Sequence, residues 1–373
     1  MGKNIETDQV ISYVYIHVPF CLRKCNYCSF FSVEFTEAES NKYIDHLIKE
    51  IKLFKQRYKI KPKTIYFGGG TPSLLSADQI NTVISQFDLS IIEEVTLECN
   101  PVNINNKYAR ELTSTPVNRI SLGAQSFIDA ELKILGRLHN STKIKTAYKL
   151  LRKYKFNNIS LDLIYGLPSQ CLQEVEFSLD EIIKLEPEHI STYCLSLEKD
   201  VPLFSRIDLI PIDGKVSDFY YFIRSKLIST GFDHYEISNF AKKNYYSKHN
   251  LCYWNDENYL GLGPSAAGYI GNIRYNNKAN LKDHYKMITE NNIMLDQTIL
   301  SETDHEKEYI FLGLRKAEGL NLVDFRNNFK TDFTEKYKHV VSKFNNLFYV
   351  NETDIALKPK AYFISNEIFQ EFM

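Results

Sequence analysis

The sequence predicts an α/β protein: a partial (β/α)6 barrel followed by a C-terminal α+β module. Three observations carry this. The first two hundred residues alternate short β-branched runs with longer amphipathic stretches, the pattern of parallel strands joined by crossover helices. The units number six, too many for a small doubly wound sheet and too few for an eight-fold barrel. Each apolar run is followed at once by a polar or glycine-rich segment, so reactive side chains collect at the C-terminal ends of successive strands, where a barrel carries its site.

Taken in order, strands are expected over residues 12–18, 63–67, 94–98, 118–123, 158–164 and 189–196. Helical patterns lie between them near 37–57, 76–87, 105–114, 127–136, 142–155 and 172–185. Ser76-Ala-Asp-Gln79 is a capping box and starts the second helix. Strand one ends in Cys21-Leu-Arg-Lys-Cys25-Asn-Tyr-Cys28, strand two in Gly68-Gly-Gly-Thr-Pro72 and strand three in Glu98-Cys-Asn-Pro101. Strand four ends in Gly123-Ala-Gln-Ser126 and strand five in Asp162-Leu-Ile-Tyr-Gly-Leu-Pro168. A helix near 215–230 then leads into His234-Tyr-Glu-Ile-Ser-Asn-Phe240. An exposed loop is expected to carry His249-Asn-Leu-Cys-Tyr-Trp254, ahead of a glycine turn, Gly261-Leu-Gly-Pro264. From about 300 onward, helical stretches at 304–316 and 335–345 precede short strands at 347–350 and 354–358 and a last helix, the order of a small winged-helix module. The expected division is 1–230 for the barrel, 231–300 for a connecting segment and 301–373 for the module.

Composition narrows the function. Hydrophobic content of 44% and charged content of 24% are those of an ordinary globular protein. A net charge of −1 gives no electrostatic case for nucleic acid or an anionic membrane surface. No stretch approaches 18 uncharged apolar residues, so no membrane span is expected. Residues 1–7 lack the apolar core of a signal peptide, and Glu6 breaks the myristoylation pattern. Cys99, Cys171, Cys194 and Cys252 are scattered, which argues against a disulfide framework and for a reducing cytoplasm.

The spacing C-x3-C-x2-C on one tight loop suits a cubane iron–sulfur cluster. Each of Cys21, Cys25 and Cys28 would hold one iron and leave the fourth open for a ligand. A zinc site would want a fourth ligand, and none sits nearby in a matching pair. Gly68, Gly69 and Gly70 allow a backbone to approach a ligand closely, with N–H groups that suit a carboxylate. Glu98, at a strand end, can accept hydrogen bonds from hydroxyl or amino groups.

This cysteine loop, with a glycine-rich loop after the second strand, resembles the radical S-adenosylmethionine (SAM) superfamily. Tyr15-Ile-His-Val-Pro-Phe-Cys21, Phe67-Gly-Gly-Gly-Thr-Pro-Ser73, Arg119-Ile-Ser-Leu-Gly-Ala-Gln-Ser126 and Asp162-Leu-Ile-Tyr-Gly-Leu-Pro168 together resemble its oxygen-independent coproporphyrinogen III oxidase group over essentially the whole chain. The resemblance implies a 4Fe-4S cluster on Cys21, Cys25 and Cys28. It implies first-SAM contacts at Tyr15 and Gly69, beside which the Glu98 carboxylate is placed to accept from the SAM ribose hydroxyls or amino group, and a second SAM set at Gly70, Thr71, Gln125, Arg137 and Asp162.

Two departures bear on the branch. The oxidases resemble C-x3-C-x2-C-x-C, whereas the last position here is Phe30. His249-Asn-Leu-Cys-Tyr-Trp254 resembles the HNxxYW motif of a haem-chaperone branch, which implies His249 as a candidate axial ligand to haem iron, with Cys252 as a second candidate. The turn at residues 261–268 lacks a histidine that the group often has there. The expectation is a haem chaperone with one haem, a 4Fe-4S cluster and SAM, haem-acceptor proteins as partners, and an electron donor such as flavodoxin or ferredoxin. Two alternatives stay open: a SAM-dependent oxidative decarboxylase of coproporphyrinogen III propionates, and a radical SAM enzyme on an unrelated substrate.

Overall fold

In β1 (Val10–Val18), Val14, Ile16 and Val18 are fully buried, while Tyr13, Tyr15 and His17 lie on the opposite face of the strand. That alternation sets the architecture, because the apolar face takes the helices and the polar face lines a concavity. The computed structural model describes residues 10–294 and 296–373, so the reading of residues 1–7 falls outside it.

The short strands β2 (Phe20–Cys21) and β3 (Val33–Glu34) pair in parallel and close the cysteine loop at its base. Helix α1 (Glu37–Arg57), capped by Thr36, then packs Tyr43, Leu47, Ile51 and Phe54 inward. The crossover series continues through β4 (Lys59–Gly69), α2 (Ala77–Ile84), β5 (Glu94–Cys99), α3 (Asn106–Leu112) and β6 (Arg119–Gln125). It ends with α4 (Asp129–Ile134), α5 (Ser141–Lys153), β7 (Ile159–Tyr165), α6 (Leu172–Lys184), β8 (His189–Cys194) and α7 (Asp213–Ser229). Every strand of this series lies where the sequence predicts it, and the Ser76–Gln79 capping box forms, with both reciprocal hydrogen bonds present.

The next segment builds sheet at both ends. Strands β9 (Asp233–Glu236) and β10 (Asn239–Ala241) add antiparallel to β8. Helix α8 (Lys248–Trp254) follows, and then β11 (Tyr259–Leu262) pairs in parallel with β1, Tyr13 opposite Tyr259 and Ile16 opposite Leu262. Strands β12 (Ala267–Ile270), β13 (Ile273–Asn276) and, after α9 (Leu281–Thr289), β14 (Asp296–Ile299) extend that edge antiparallel. The resulting order is β14-β13-β12-β11-β1-β4-β5-β6-β7-β8-β10-β9. Among the described residues the two ends of this sheet are not paired.

The module after residue 300 comprises α10 (Glu302–Gly313), β15 (Leu320–Asn321), α11 (Leu322–Phe329), α12 (Phe333–Lys336), α13 (Lys338–Lys343), β16 (Phe348–Val350), β17 (Asp354–Leu357) and α14 (Ser365–Gln370). Its sheet runs β15-β17-β16 around an aromatic core in which Phe325 packs on Phe333 and Phe333 on Phe372. Helix α11 is absent from the expected pattern. Asn321 caps it by accepting from the Asp324 N–H, and eight residues are too few to establish a clear apolar period.

One expectation is corrected. The His249–Trp254 stretch is not an exposed loop but helix α8, with His249 only 1% exposed. Ser247 accepts from the Asn250 N–H, and the buried Glu94 carboxylate accepts from the N–H groups of Lys248 and His249. A carboxylate at a helix N-terminus offsets its partial positive charge, so a strand residue 154 positions away starts this helix.

Candidate functional site at the barrel mouth

The loops after β1, β4, β5, β6 and β7 surround a cavity of about 480 Å³ at the C-terminal end of the parallel strands. Cys21, Cys25 and Cys28 stand half-buried on one wall. Their loop is held to the turn after α4: the Asn26 amide donates to Ile134 O at 2.9 Å, its backbone N–H to Leu135 O at 3.0 Å, and Arg23 Nη2 to Gly136 O at 2.8 Å. Gly136 is left-handed (φ 74°), and a Cβ there would stand 2.8 Å from the Asn26 side chain, so glycine is what lets the two loops meet.

Donors reach two of the sulfurs. Arg137 Nη1 lies 3.4 Å from Cys25 Sγ and Thr71 Oγ1 lies 3.5 Å from Cys21 Sγ, while Arg137 Nη2 donates to Gly123 O at 3.1 Å. Among the described residues no three His, Cys, Asp or Glu side chains converge as a single bound ion requires. A cubane instead takes one thiolate per iron and needs the sulfurs spread apart. Three thiols on one wall of a cavity, with hydrogen-bond donors at two of them, fit a 4Fe-4S cluster.

The rest of the lining suits a polar, flexible ligand. A Cβ at Gly70 would sit 2.6 Å from Phe20 O, and one at Gly69 (φ 108°) 2.8 Å from the His17 ring, so the β4 backbone itself forms the surface. Glu98 Oε1 accepts from Tyr66 Oη at 2.8 Å, and burial pushes its carboxyl up to about 7. Asp162, also pushed up by burial, accepts from Ser121 at 3.1 Å and Ser160 at 3.3 Å. Gln125 takes a left-handed backbone (φ 68°) at the bulged end of β6, a strained position for a residue with a side chain.

Cys21, Cys25, Cys28, Gly69, Gly70, Thr71, Glu98, Gln125, Arg137 and Asp162 therefore share one cavity. Phe30, 66% exposed, stands on its rim. Tyr15 and His249 do not line it. Tyr15 lies behind Gly68 with its ring stacked on Tyr66, and faces a second cavity of about 310 Å³ walled by Tyr253, Trp254, Tyr259 and Tyr269.

His249 is held at both ring nitrogens, Nδ1 to Thr64 Oγ1 at 2.7 Å and Nε2 to Tyr253 Oη at 2.9 Å. Burial and the Arg119 charge push its pKa down to about 3. A neutral imidazole has one N–H and one lone pair, so the lone pair that iron would take is engaged here. Cys252, on the same helix, is also buried, its thiol pushed well up by desolvation.

Several residues of the site escaped sequence reasoning. Tyr66 lines the main cavity and Thr64 holds His249, and the period of two along β4 places both on the face of Gly68. Arg119, inside a motif but without an assigned role, is 1% exposed and its Nε has no hydrogen-bond partner. Glu94 and Asp162 supply the nearby opposite charge.

The chain resembles known proteins over most of its length. The family model of the radical SAM superfamily matches residues 15–182. The chain is 36% identical to the heme chaperone HemW of Lactococcus lactis over 369 residues, covering 96% of each chain. It is 32% identical to that of Bacillus subtilis, covering 96% of this chain and 98% of the relative, and 33% identical to that of Escherichia coli, covering 84% of each. The solved structure of coproporphyrinogen III oxidase (HemN) from Escherichia coli, described as a radical SAM enzyme, shares the fold: TM-score 0.85, 21% identity, with 97% of this chain and 90% of that one covered. By sequence over nearly its full length and by fold, the chain belongs to the HemW haem-chaperone family of the radical SAM superfamily.

Proposed function

We propose that this protein is a haem chaperone: it holds a 4Fe-4S cluster on Cys21, Cys25 and Cys28, binds SAM in the adjoining cavity, takes up one haem and passes it to acceptor proteins. The observation that carries the reading is the match, over 96% of both chains, to a protein named heme chaperone HemW. Phe30, where the oxidases have a further cysteine, supports it. A flavodoxin or ferredoxin would supply electrons. The scattered thiols suit the cytoplasm, and among the described residues no helix is long and apolar enough to cross a membrane.

The cluster, when bound, supplies one electron and an open coordination site; the rest of the work falls to the chain. Arg137 and Thr71 donate to thiolate sulfurs and stabilise their negative charge. The Gly69 and Gly70 backbone presents N–H groups to the methionyl carboxylate of SAM. Glu98 accepts from its ribose hydroxyls or amino group. Gln125, Arg137 and Asp162, with Gly70 and Thr71, form the proposed second SAM set on the same cavity. Tyr15 acts from behind Gly68, through the glycine loop.

His249 is the proposed haem-iron ligand, with Cys252 in reserve. Its lone pair is engaged in the helix as folded, so coordination requires α8 to give up the bond to Tyr253 or Thr64. A haem titration of the purified protein tests the reading. Wild type should show a shifted Soret band, and His249→Ala a weaker one with affinity reduced about tenfold or more. Absence of haem uptake by wild type, or protoporphyrinogen formation from coproporphyrinogen under anaerobic conditions with reductant and SAM, would overturn it.

A further inference from the structure

The barrel-mouth cavity and the motif helix α8 are separate in space, yet one side chain touches both. Tyr66, on β4, lines the main cavity and donates its hydroxyl to Glu98 Oε1 at 2.8 Å. Its ring stacks on the His249 imidazole, with centroids 5.1 Å apart and planes at 29°. On another side the ring stacks on Tyr15 at 6.1 Å and 25°. A Cβ on Gly68 would stand 3.0 Å from Tyr66 Cε1, so the glycine loop packs against the same ring. Tyr66 has little room to move unless His249, Tyr15 or the loop moves with it.

We propose that Tyr66 is a positioning residue that couples occupancy of the Glu98 side of the cavity to the availability of His249, so that SAM and haem bind with positive cooperativity. The proposal rests on the ligand assignments above. The Tyr66 hydroxyl is tied to Glu98, and its ring lies stacked on His249, which is bonded to Thr64 and Tyr253. When Glu98 accepts from a ribose hydroxyl or an amino group instead, Tyr66 loses the partner that fixes its tilt. The stack on His249 loosens, and the imidazole can leave one of its two hydrogen bonds. Ligands interact only through such a difference between states, and the coupling is reciprocal: haem must tighten SAM by the same factor that SAM tightens haem.

The test uses full-length, cluster-reconstituted protein under anaerobic conditions. Haem affinity is measured from the Soret band with and without saturating SAM, and SAM affinity with and without haem. In wild type, SAM should tighten haem about fivefold or more, and haem should tighten SAM equally. Tyr66→Phe keeps the ring but removes the hydroxyl. Without SAM it should bind haem as tightly as SAM-loaded wild type, and its coupling factor should fall to about 1. A residue that merely filled space would instead bind haem more weakly when altered. Glu98→Ala, which removes the partner from the other side, should raise SAM-free haem affinity in the same way. Cluster absorbance and the thermal midpoint verify folding of each variant.

Wild type that binds haem and SAM independently overturns the Tyr66 proposal and leaves the chaperone reading standing. So does Tyr66→Phe that retains the wild-type coupling factor, or that binds haem more weakly without SAM. Wild type that takes up no haem overturns both.

Discussion

The barrel mouth and the motif helix satisfy their polar groups in opposite ways. At the mouth, Cys21, Cys25 and Cys28 are half-buried on an open wall, and glycines at 69, 70 and 136 remove side chains where backbone or loop must come close. At α8, His249 has both ring nitrogens bonded, its backbone N–H donates to Glu94, and its ring is stacked on Tyr66. The mouth leaves thiols, carboxylates and bare backbone facing an open cavity. The helix is arranged for its own stability, and a ligand there must replace an existing hydrogen bond. Such an exchange costs little net energy if the new bond forms, and about 1–3 kcal/mol if a buried partner is left unpaired.

Three changes would break or sharpen this contrast. The largest effect is expected at the cluster wall. Cys25→Ala should abolish cluster formation, read as loss of absorbance near about 400 nm and of about four irons per chain, because two remaining thiolates cannot anchor three irons. Haem uptake at α8 should persist in the same sample if the two regions are separate; joint loss would merge them.

Next comes Glu98→Gln. Burial holds the Glu98 carboxyl up to about 7, against about 4.3 in an unfolded chain. Between those values the folded state keeps a proton that the unfolded state has released. The favourable contribution of that proton is fully present below pH 4 and is lost as pH rises through 7. Ligand-free Glu98→Gln should therefore gain about 3 kcal/mol at pH 8 and nothing near pH 4 in denaturant melts, while losing SAM affinity. A gain at pH 8 marks a residue kept for a ligand at the cost of stability. Equal stability at both pH values would make Glu98 a structural group.

The smallest effect is expected at Tyr253→Phe. It leaves His249 Nε2 unpaired and should cost about 1 kcal/mol in thermal stability, with tighter haem binding because no phenol then has to be displaced from that nitrogen. Unchanged haem affinity would locate the restraint at Thr64 instead.

The unevenness of what could be read from the chain follows the same division. The strand-and-loop series was legible because each of its signals is local: period-two burial, a capping box at Ser76, a cysteine triplet within eight residues. Helix α8 was not, because its one local signal is the Ser247 cap on seven residues, while Glu94 completes its N-terminus and Thr64, 185 residues earlier, holds His249. Strand β11 is four residues long and gains its place by pairing with β1 across the chain. Tyr66 was visible as a strand residue, but nothing in its neighbours reveals a glutamate on one side and an imidazole on the other.

By itself the sequence determined the parallel order of the barrel, the cysteine loop and the set of polar residues at its mouth, because side-chain alternation and loop spacing are properties of short stretches. Only the tertiary structure decided that ten of those residues face one cavity, that Tyr15 stands behind it, and that His249 is enclosed. Hydrogen bonds and ring contacts between distant segments exist only once strands have paired and curved, and the ligand-readiness of a side chain depends on which of those contacts it has already made.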